Sequence, residues 1–503
     1  MTLFDNLALG VSIASQQQHL LLLTGGCLLG ATFAALPGVG MLSLVALALP
    51  AALLLEPLAA MMLLVGIYCG AAGGAQSAGP MIAAPLLSDG SGEPVPASGM
   101  TVPAVWSMRW FAAARPLSLL VASLIGAFAI VMIAPSLIEL TFRFGPAEYF
   151  SMMVLALLAV VVLAAGSLLK SMSMLVFGLL LAQIGSDPQT GLARFDFDYL
   201  PFDAGIGLVP MALGLVVIGR LLSELLGGAA QPLPSPAGTV PHRLPLRQQL
   251  QQDALHTARG GAVGSLFGTV PGGGVAIGAY VARGIERRLQ AGRAGDDARP
   301  AGTAAAAAIS AGTRSSFIPL LALGVPTNAA LVLMVGLLLQ RGQQVGPQLM
   351  TGHAELFWGL IAAIAFSGVV LFVFGRPLGM LARRLESVDF AMVYPVLGAF
   401  CCLAAYALPG GIVDVLQMSL FGALGHLLFK LGCPLTPLLM GFVLGPTLES
   451  SLRHALELSA GDWSILLTRP LSAGLLLAGA LLVASLLLPS VRPLRAALFR
   501  QER

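Results

Sequence analysis

The chain has 503 residues, of which 57% are hydrophobic and 10% charged, with a formal net charge of +3. Globular domains carry about a quarter of their residues charged, so this balance excludes an ordinary soluble domain and predicts an integral membrane protein. So small a net charge gives no support to nucleic-acid binding through a basic surface.

A hydrocarbon core of about 30 Å is crossed by about 20 apolar residues in a helix. Taken in chain order, the first such stretch, 20–55, is interrupted by "ALPGVG" (Ala35–Gly40), and a second irregular stretch covers 57–87. Continuous runs follow at 117–140, 147–165, 168–185 and 205–226. Residues 227–258 are polar and rich in proline and glutamine, and read as a cytoplasmic linker. Two more broken stretches, 260–283 and 303–340, precede runs at 355–375, 392–408, 411–430, 433–448 and 466–489. The expected architecture is an all-α polytopic membrane protein of about 10 to 12 passes. Its halves are 1–226 and 259–503, on either side of the linker.

The N-terminus lacks the basic start of a secretory signal, so the first span is expected to direct insertion. Arginines cluster at Arg243, Arg247 and Arg259, then at Arg283, Arg287, Arg288 and Arg293, and again at Arg383 and Arg384. These loops and the basic C-terminus are expected in the cytoplasm. The five cysteines show no ligand spacing and read as packing residues.

The halves repeat one motif. At a shift of 260 − 26 = 234 positions, Gly26, Gly30, Pro37, Gly38 and Gly40 fall on Gly260, Gly264, Pro271, Gly272 and Gly274. "AEYF" (147–150) and "AELF" (354–357) form a fainter echo. Arginines flank both ends of 260–283, as a hairpin re-entering from the cytoplasm would require, whereas no basic residue lies near the first copy. An inverted repeat with broken, re-entrant helices is therefore expected.

Residues 21–54 as one helix would be about 51 Å long at ~1.5 Å per residue, too long for a single span. Proline removes an intrahelical hydrogen bond and glycine admits angles closed to other residues. The freed backbone groups are tolerated at membrane depth where protein or a watery cavity encloses them, and there they can hold ions and anions. The alternative is that the glycines simply permit close helix packing.

In order and spacing, "GCLLGATFAALPGVG", "FGPAEYF", "GSLLK", "GSDPQTGLARFDF", "FGTVPGGG", "IPLLALGVP", "PLTPLLMGFVLGPTLESSLR" and "SAGD" resemble the large membrane subunit of the tripartite tricarboxylate transporters. The resemblance implies a multi-pass protein of the bacterial inner membrane, without cofactors. It implies partnership with a small four-span membrane subunit and a periplasmic solute-binding protein. It further implies secondary uptake of organic carboxylates on a sodium or proton gradient, by an elevator-like movement. The chain departs from the family pattern at Ala83 and Leu86, where asparagine and glycine are usual, at Ala306–Ser310 in place of Glu-Ala-Ala-Asn-Asn, and at Thr327 in place of glycine. These losses leave open an uncoupled, channel-like or sensing protein on the same scaffold.

The candidate substrate site comprises the breaks Pro37, Gly38, Gly40, Pro271, Gly272 and Gly274, together with Gln76 and Ser77 of the first polar patch. The backbone of Gly38 and Gly272 is the candidate place for a sodium ion. Arg314 is added because an ionisable residue inside a span is costly and by default functional. It could clamp a carboxylate with two hydrogen bonds, with Thr313, Ser315, Ser316, Thr327 and Asn328 as further contacts. Alternatively it snorkels to an interface. Glu449 and Arg453 are spaced to pair, Asp187 reads as a turn residue, and Asp414, His426 and Lys430 are weak candidates for a proton route. No HExxH, Walker lysine loop or GxSxG elbow is present, so no enzyme is expected.

Overall fold

In the computed structural model, the described residues are 3–34, 36, 39–77, 116–142, 144–164, 167–186, 191, 193–195, 205–227, 246–290, 299–385 and 390–485. They are helical almost throughout, with one two-stranded ribbon pairing Gly185–Ser186 with Ala193–Arg194. Six helical segments are long and apolar enough to span a membrane: Pro116–Thr141, Pro146–Leu163, Leu208–Leu226, Pro300–Leu323, Ala354–Gly375 and Ile412–Lys430. Shorter apolar helices follow, among them Met41–Leu53, Pro57–Gly73 and Ala329–Gln340 from the interrupted stretches.

The first half begins with α1 (Leu3–Ala14), α2 (Gln17–Phe33), α3 (Met41–Leu53) and α4 (Pro57–Ser77). It continues with α5 (Pro116–Thr141), α6 (Pro146–Leu163), α7 (Leu168–Leu181) and α8 (Leu208–Leu226). Helices α4, α5 and α6 each open on proline, whose missing N–H is unpaired at a first turn in any case. The second half contains α9 (Leu246–Gly268), α10 (Gly274–Gln290), α11 (Arg299–Ser315), α12 (Phe317–Leu323), α13 (Ala329–Gln340) and α14 (Pro347–Gly352). It closes with α15 (Ala354–Leu385), α16 (Phe390–Tyr406), α17 (Ile412–Lys430), α18 (Leu435–Leu458), α19 (Ile465–Thr468) and α20 (Pro470–Ser485).

Helix α9 starts inside the segment read as linker. After Pro245 the residues LRQQLQQDALHTA contain neither glycine nor proline and are mostly strong helix formers, so the chain coils although the stretch is polar.

The aligned glycines of the two halves do the same packing work. A β-carbon on Gly26 or Gly30 of α2 would lie 2.5 Å from Leu63 O or 2.3 Å from Ile67 O of α4. On Gly260 or Gly264 of α9 it would lie 2.2 Å from Ala304 O or Ala308 O of α11. Bare glycine lets the backbones touch, which is how membrane helices gain packing where no hydrophobic force drives them together. The long helices then cross between halves: α5 lies against α9 and α11, and α15 against α2 and α4.

The two breaks differ in shape. Helix α10 folds back on α9 because Gly278 brings its backbone onto α9, where a β-carbon would meet Phe267 Cβ at 3.0 Å. Leu44 occupies the matching position of α3, and α3 instead packs on α4, α8 and α13. Across the α9–α10 hairpin the buried Glu286 meets His256 Nδ1 at 2.9 Å and Arg259 at 3.4 Å.

A second group of helices joins α6 to α18 and α20, α7 to α18, and α8 to α17. Ser151 and Ser472 bond at 2.7 Å between α6 and α20. Glu449 pairs with Arg453 at 2.5 Å, as its spacing suggested, and also with Arg194 of the ribbon at 3.0 Å. In the turn after α18, Ser464 donates through its amide and hydroxyl to Asp462, which holds that exposed carboxyl below its usual range. The proposed proton route does not assemble among the described contacts. Asp414 accepts from Gly410 N at 2.9 Å, His426 bonds Ser223 at 3.0 Å, and Lys430 is exposed at the opposite end of α17 from Asp414.

Candidate functional site

Nearly every residue of Pro300–Leu323 is buried, which makes it the most enclosed of the six candidate spans. The stretch 303–340, too long for one span, is broken as its length predicted. Helix α11 ends at Ser315 and α12 at Leu323, where Gly324 adopts φ +74 and closes the helix with a bond from its N–H to Leu320 O at 3.1 Å. Asn328 restarts the chain as the N-cap of α13, its side chain accepting from Leu331 N at 3.1 Å. Residues 325–327 therefore lie between the two helices, with Val325 N–H turned back to Pro319 O at 3.2 Å.

The second break lies against this irregular segment. Gly272, at φ +81, donates its N–H to Thr327 O at 2.9 Å, and a β-carbon there would lie 3.0 Å from Val160 Cα of α6. Only glycine fits both the angle and the space. Its amide, one of the groups freed by the break, is thus satisfied by protein.

Tyr68 of α4 ties the first half to this junction. Asn328 Nδ2 donates to Tyr68 Oη at 2.8 Å, and Tyr68 Oη lies 3.0 Å from Ser316 Oγ. Because the Ser316 hydroxyl donates to Thr313 O at 2.6 Å, the tyrosine hydroxyl is the donor to Ser316. Thr327 Oγ1 donates to Ser316 O at 3.3 Å, and the Tyr68 ring meets Phe317 edge-on at 5.4 Å. Each hydroxyl of this network has an acceptor.

Arg314 faces elsewhere. Ser316 follows the last residue of α11 in a helical conformation, φ −60 and ψ −17, so at ~100° per residue it points about 200° away from Arg314. The Arg314 side chain is only 2% exposed. Nη1 donates to Ser310 O at 2.9 Å and to Ser310 Oγ at 3.3 Å, and Nη2 donates to Ser367 Oγ of α15 at 3.5 Å. The serines are committed as acceptors here. Ser310 and Ser123 both donate to Leu119 O, at 3.2 and 2.6 Å, and Ser367 donates to Ile364 O at 2.7 Å. Nε is buried without a hydrogen-bond partner, and no ion pair among the described residues includes Arg314. Nε is thus the guanidinium nitrogen without an acceptor, and with a neighbouring Nη it belongs to the donor pair by which arginine takes a carboxylate.

The sequence-predicted residues therefore divide. Gly272, preceded in the chain by Pro271, joins Ser316, Thr327 and Asn328 at the junction, while Arg314 sits apart among serines. Thr313 and Ser315 hydroxyls return to their own helix, to Ile309 O at 2.7 Å and Gly312 O at 3.2 Å. Gly274 serves packing, a β-carbon there falling 2.0 Å from Phe267 O, and Gly40 is the extended N-cap of α3. Pro37 and Gly38 lie outside the described residues, as do the side chains of Gln76 and Ser77 in the last turn of α4, and Asp187. Among the described residues no group of His, Cys, Asp and Glu is arranged to hold a metal ion. Sequence reading missed Tyr68, Ser123 and Ser367, whose only signal was a polar group within an apolar run.

Comparison with known proteins agrees with the motifs. The profile of the tripartite tricarboxylate transporter TctA family matches residues 20–440. A protein of Agrobacterium vitis described as an uncharacterized 52.8 kDa protein in the TAR-I ttuC' 3' region is 31% identical over 504 residues, covering 100% of both chains. An uncharacterized protein in the TAR-II ttuC' 3' region of Agrobacterium vitis is 35% identical over 241 residues, which is 48% of this chain and 100% of that one. No solved structure matches. With a family profile over most of its length, a full-length relative and a bundle of apolar helices, this multi-pass membrane chain belongs to the tripartite tricarboxylate transporter TctA family, and it is a transporter subunit and not an enzyme.

Proposed function

We propose that this chain is the membrane-embedded translocating subunit for an organic di- or tricarboxylate, driven by a sodium or proton gradient in a bacterial inner membrane. It works with a small four-span membrane subunit and a periplasmic solute-binding protein. The carrying observation is Arg314: a guanidinium 2% exposed within a candidate span, held by serine oxygens and with Nε unpartnered. A buried unmatched cation is destabilising unless something matches it, and a carboxylate does so through two parallel hydrogen bonds. The corresponding glycine packing of α2 on α4 and of α9 on α11 supports a duplicated, inverted core. An elevator-like shift of that core against the helices around α6, α8, α17 and α18 completes the reading.

The test is uptake of radiolabelled carboxylates by cells carrying the complete system, with Arg314→Ala and Arg314→Lys. Both variants are expected to weaken apparent affinity, the lysine less because it keeps the charge and loses the fork. Unchanged affinity in both would dispose of the site. Accumulation above the external concentration that collapses with the ion gradient separates coupled uptake from a passive channel, which only equilibrates solute.

A further inference from the structure

We propose that this chain is also a carboxylate exchanger: an anion leaving the cell returns the site, so that one carboxylate enters as another departs. The inference rests on the reading of Arg314 as the substrate cation within a moving core. Arginine does not shed its proton in proteins, so the empty site always carries a positive charge. Nothing charged among the described residues cancels it. The groups bonded to Arg314 are the neutral oxygens of Ser310 and Ser367, at 2.9 to 3.5 Å, and the hydroxyl protons of both serines are directed to backbone carbonyls. The side chain is 2% exposed, so water does not screen it at rest.

An unpaired charge at bilayer depth is expensive to move, and a bound carboxylate of opposite sign removes most of that penalty. The loaded site therefore reorients readily and the empty one slowly. A co-transported cation cannot substitute for the anion on the return step, since it adds to the charge of Arg314. Net uptake requires the empty site to return, whereas exchange requires only loaded crossings.

The experiment uses right-side-out membrane vesicles carrying both membrane subunits, with the purified solute-binding protein added outside, a panel of radiolabelled citrate, succinate, malate and tartrate, and vesicles either empty or preloaded with the same unlabelled compound. Initial uptake into preloaded vesicles is expected to be at least about tenfold faster, the factor that each ~1.4 kcal/mol on the return step supplies. Arg314→Met removes the charge at similar volume and should bring the ratio toward one, even where absolute uptake falls. Uptake by the natural protein without acceleration on preloading overturns the exchange proposal and leaves the transporter reading standing. So does undiminished acceleration in an active Arg314→Met variant. Transport of none of the four compounds counts against the carboxylate reading itself.

Discussion

Replacing Arg314 with methionine should separate function from stability. The guanidinium is 2% exposed and bonded to three oxygens, those of the Ser310 backbone, the Ser310 side chain and Ser367, with Nε unpartnered and no carboxylate in contact among the described residues. Methionine fills much of the same volume without the buried charge. Exchanging a buried ionic group for an apolar one of similar volume is often neutral or stabilising by about 1–4 kcal/mol, so thermal stability in detergent should hold or rise. Carboxylate binding should fall, since a hydrogen bond to a charged group contributes about 1.5–3 kcal/mol, or roughly 10- to 150-fold in affinity. Calorimetric titration of the purified protein with the transported carboxylate, beside a thermal unfolding curve, measures both. A variant that melts earlier yet binds as tightly would show that Arg314 is a structural tie and refute the reasoning.

Three further expectations concern the frame around the site. Gly264→Ala should destabilise by about 1–3 kcal/mol, because its β-carbon would fall 2.2 Å from Ala308 O and force α9 from α11; the melting temperature in detergent reads the loss. Tyr68→Phe removes the acceptor for Asn328 and the donor to Ser316, leaving buried polar atoms unmet at a cost of about 1–3 kcal/mol, read by the same melt. Gln417→Leu deletes bonds to Gly205 O and Gly207 N, at 3.0 and 3.1 Å, that fix the entry to α8, and should speed proteolytic cleavage near 205–207 in membranes.

What could be read from the sequence was what acts locally. The interruptions in 20–55, 260–283 and 303–340 were legible because proline and glycine change backbone geometry wherever they stand, and helices end at Phe33, Gly268, Ser315 and Leu323. Arg314 was legible because a charge inside an apolar run needs a reason. The serine cage was not, since Ser123 and Ser367 come from α5 and α15, and the crossing of these helices between halves depends on contacts far apart in sequence. The hairpin of the second copy was expected from its flanking arginines, whereas the repeat did not reveal that the first copy packs differently; that difference rests on Gly278 against Leu44. The polar start of α9 read as linker because hydropathy tracks burial, and a helix made of glutamine, arginine and leucine needs little of it.

The most direct measurement is a structure of the full chain with its transported carboxylate. The account predicts the anion on the Nε edge of Arg314, enclosed by α4, α5, α11 and α15. An anion bound elsewhere, with Arg314 still bonded only to Ser310 and Ser367, would contradict it.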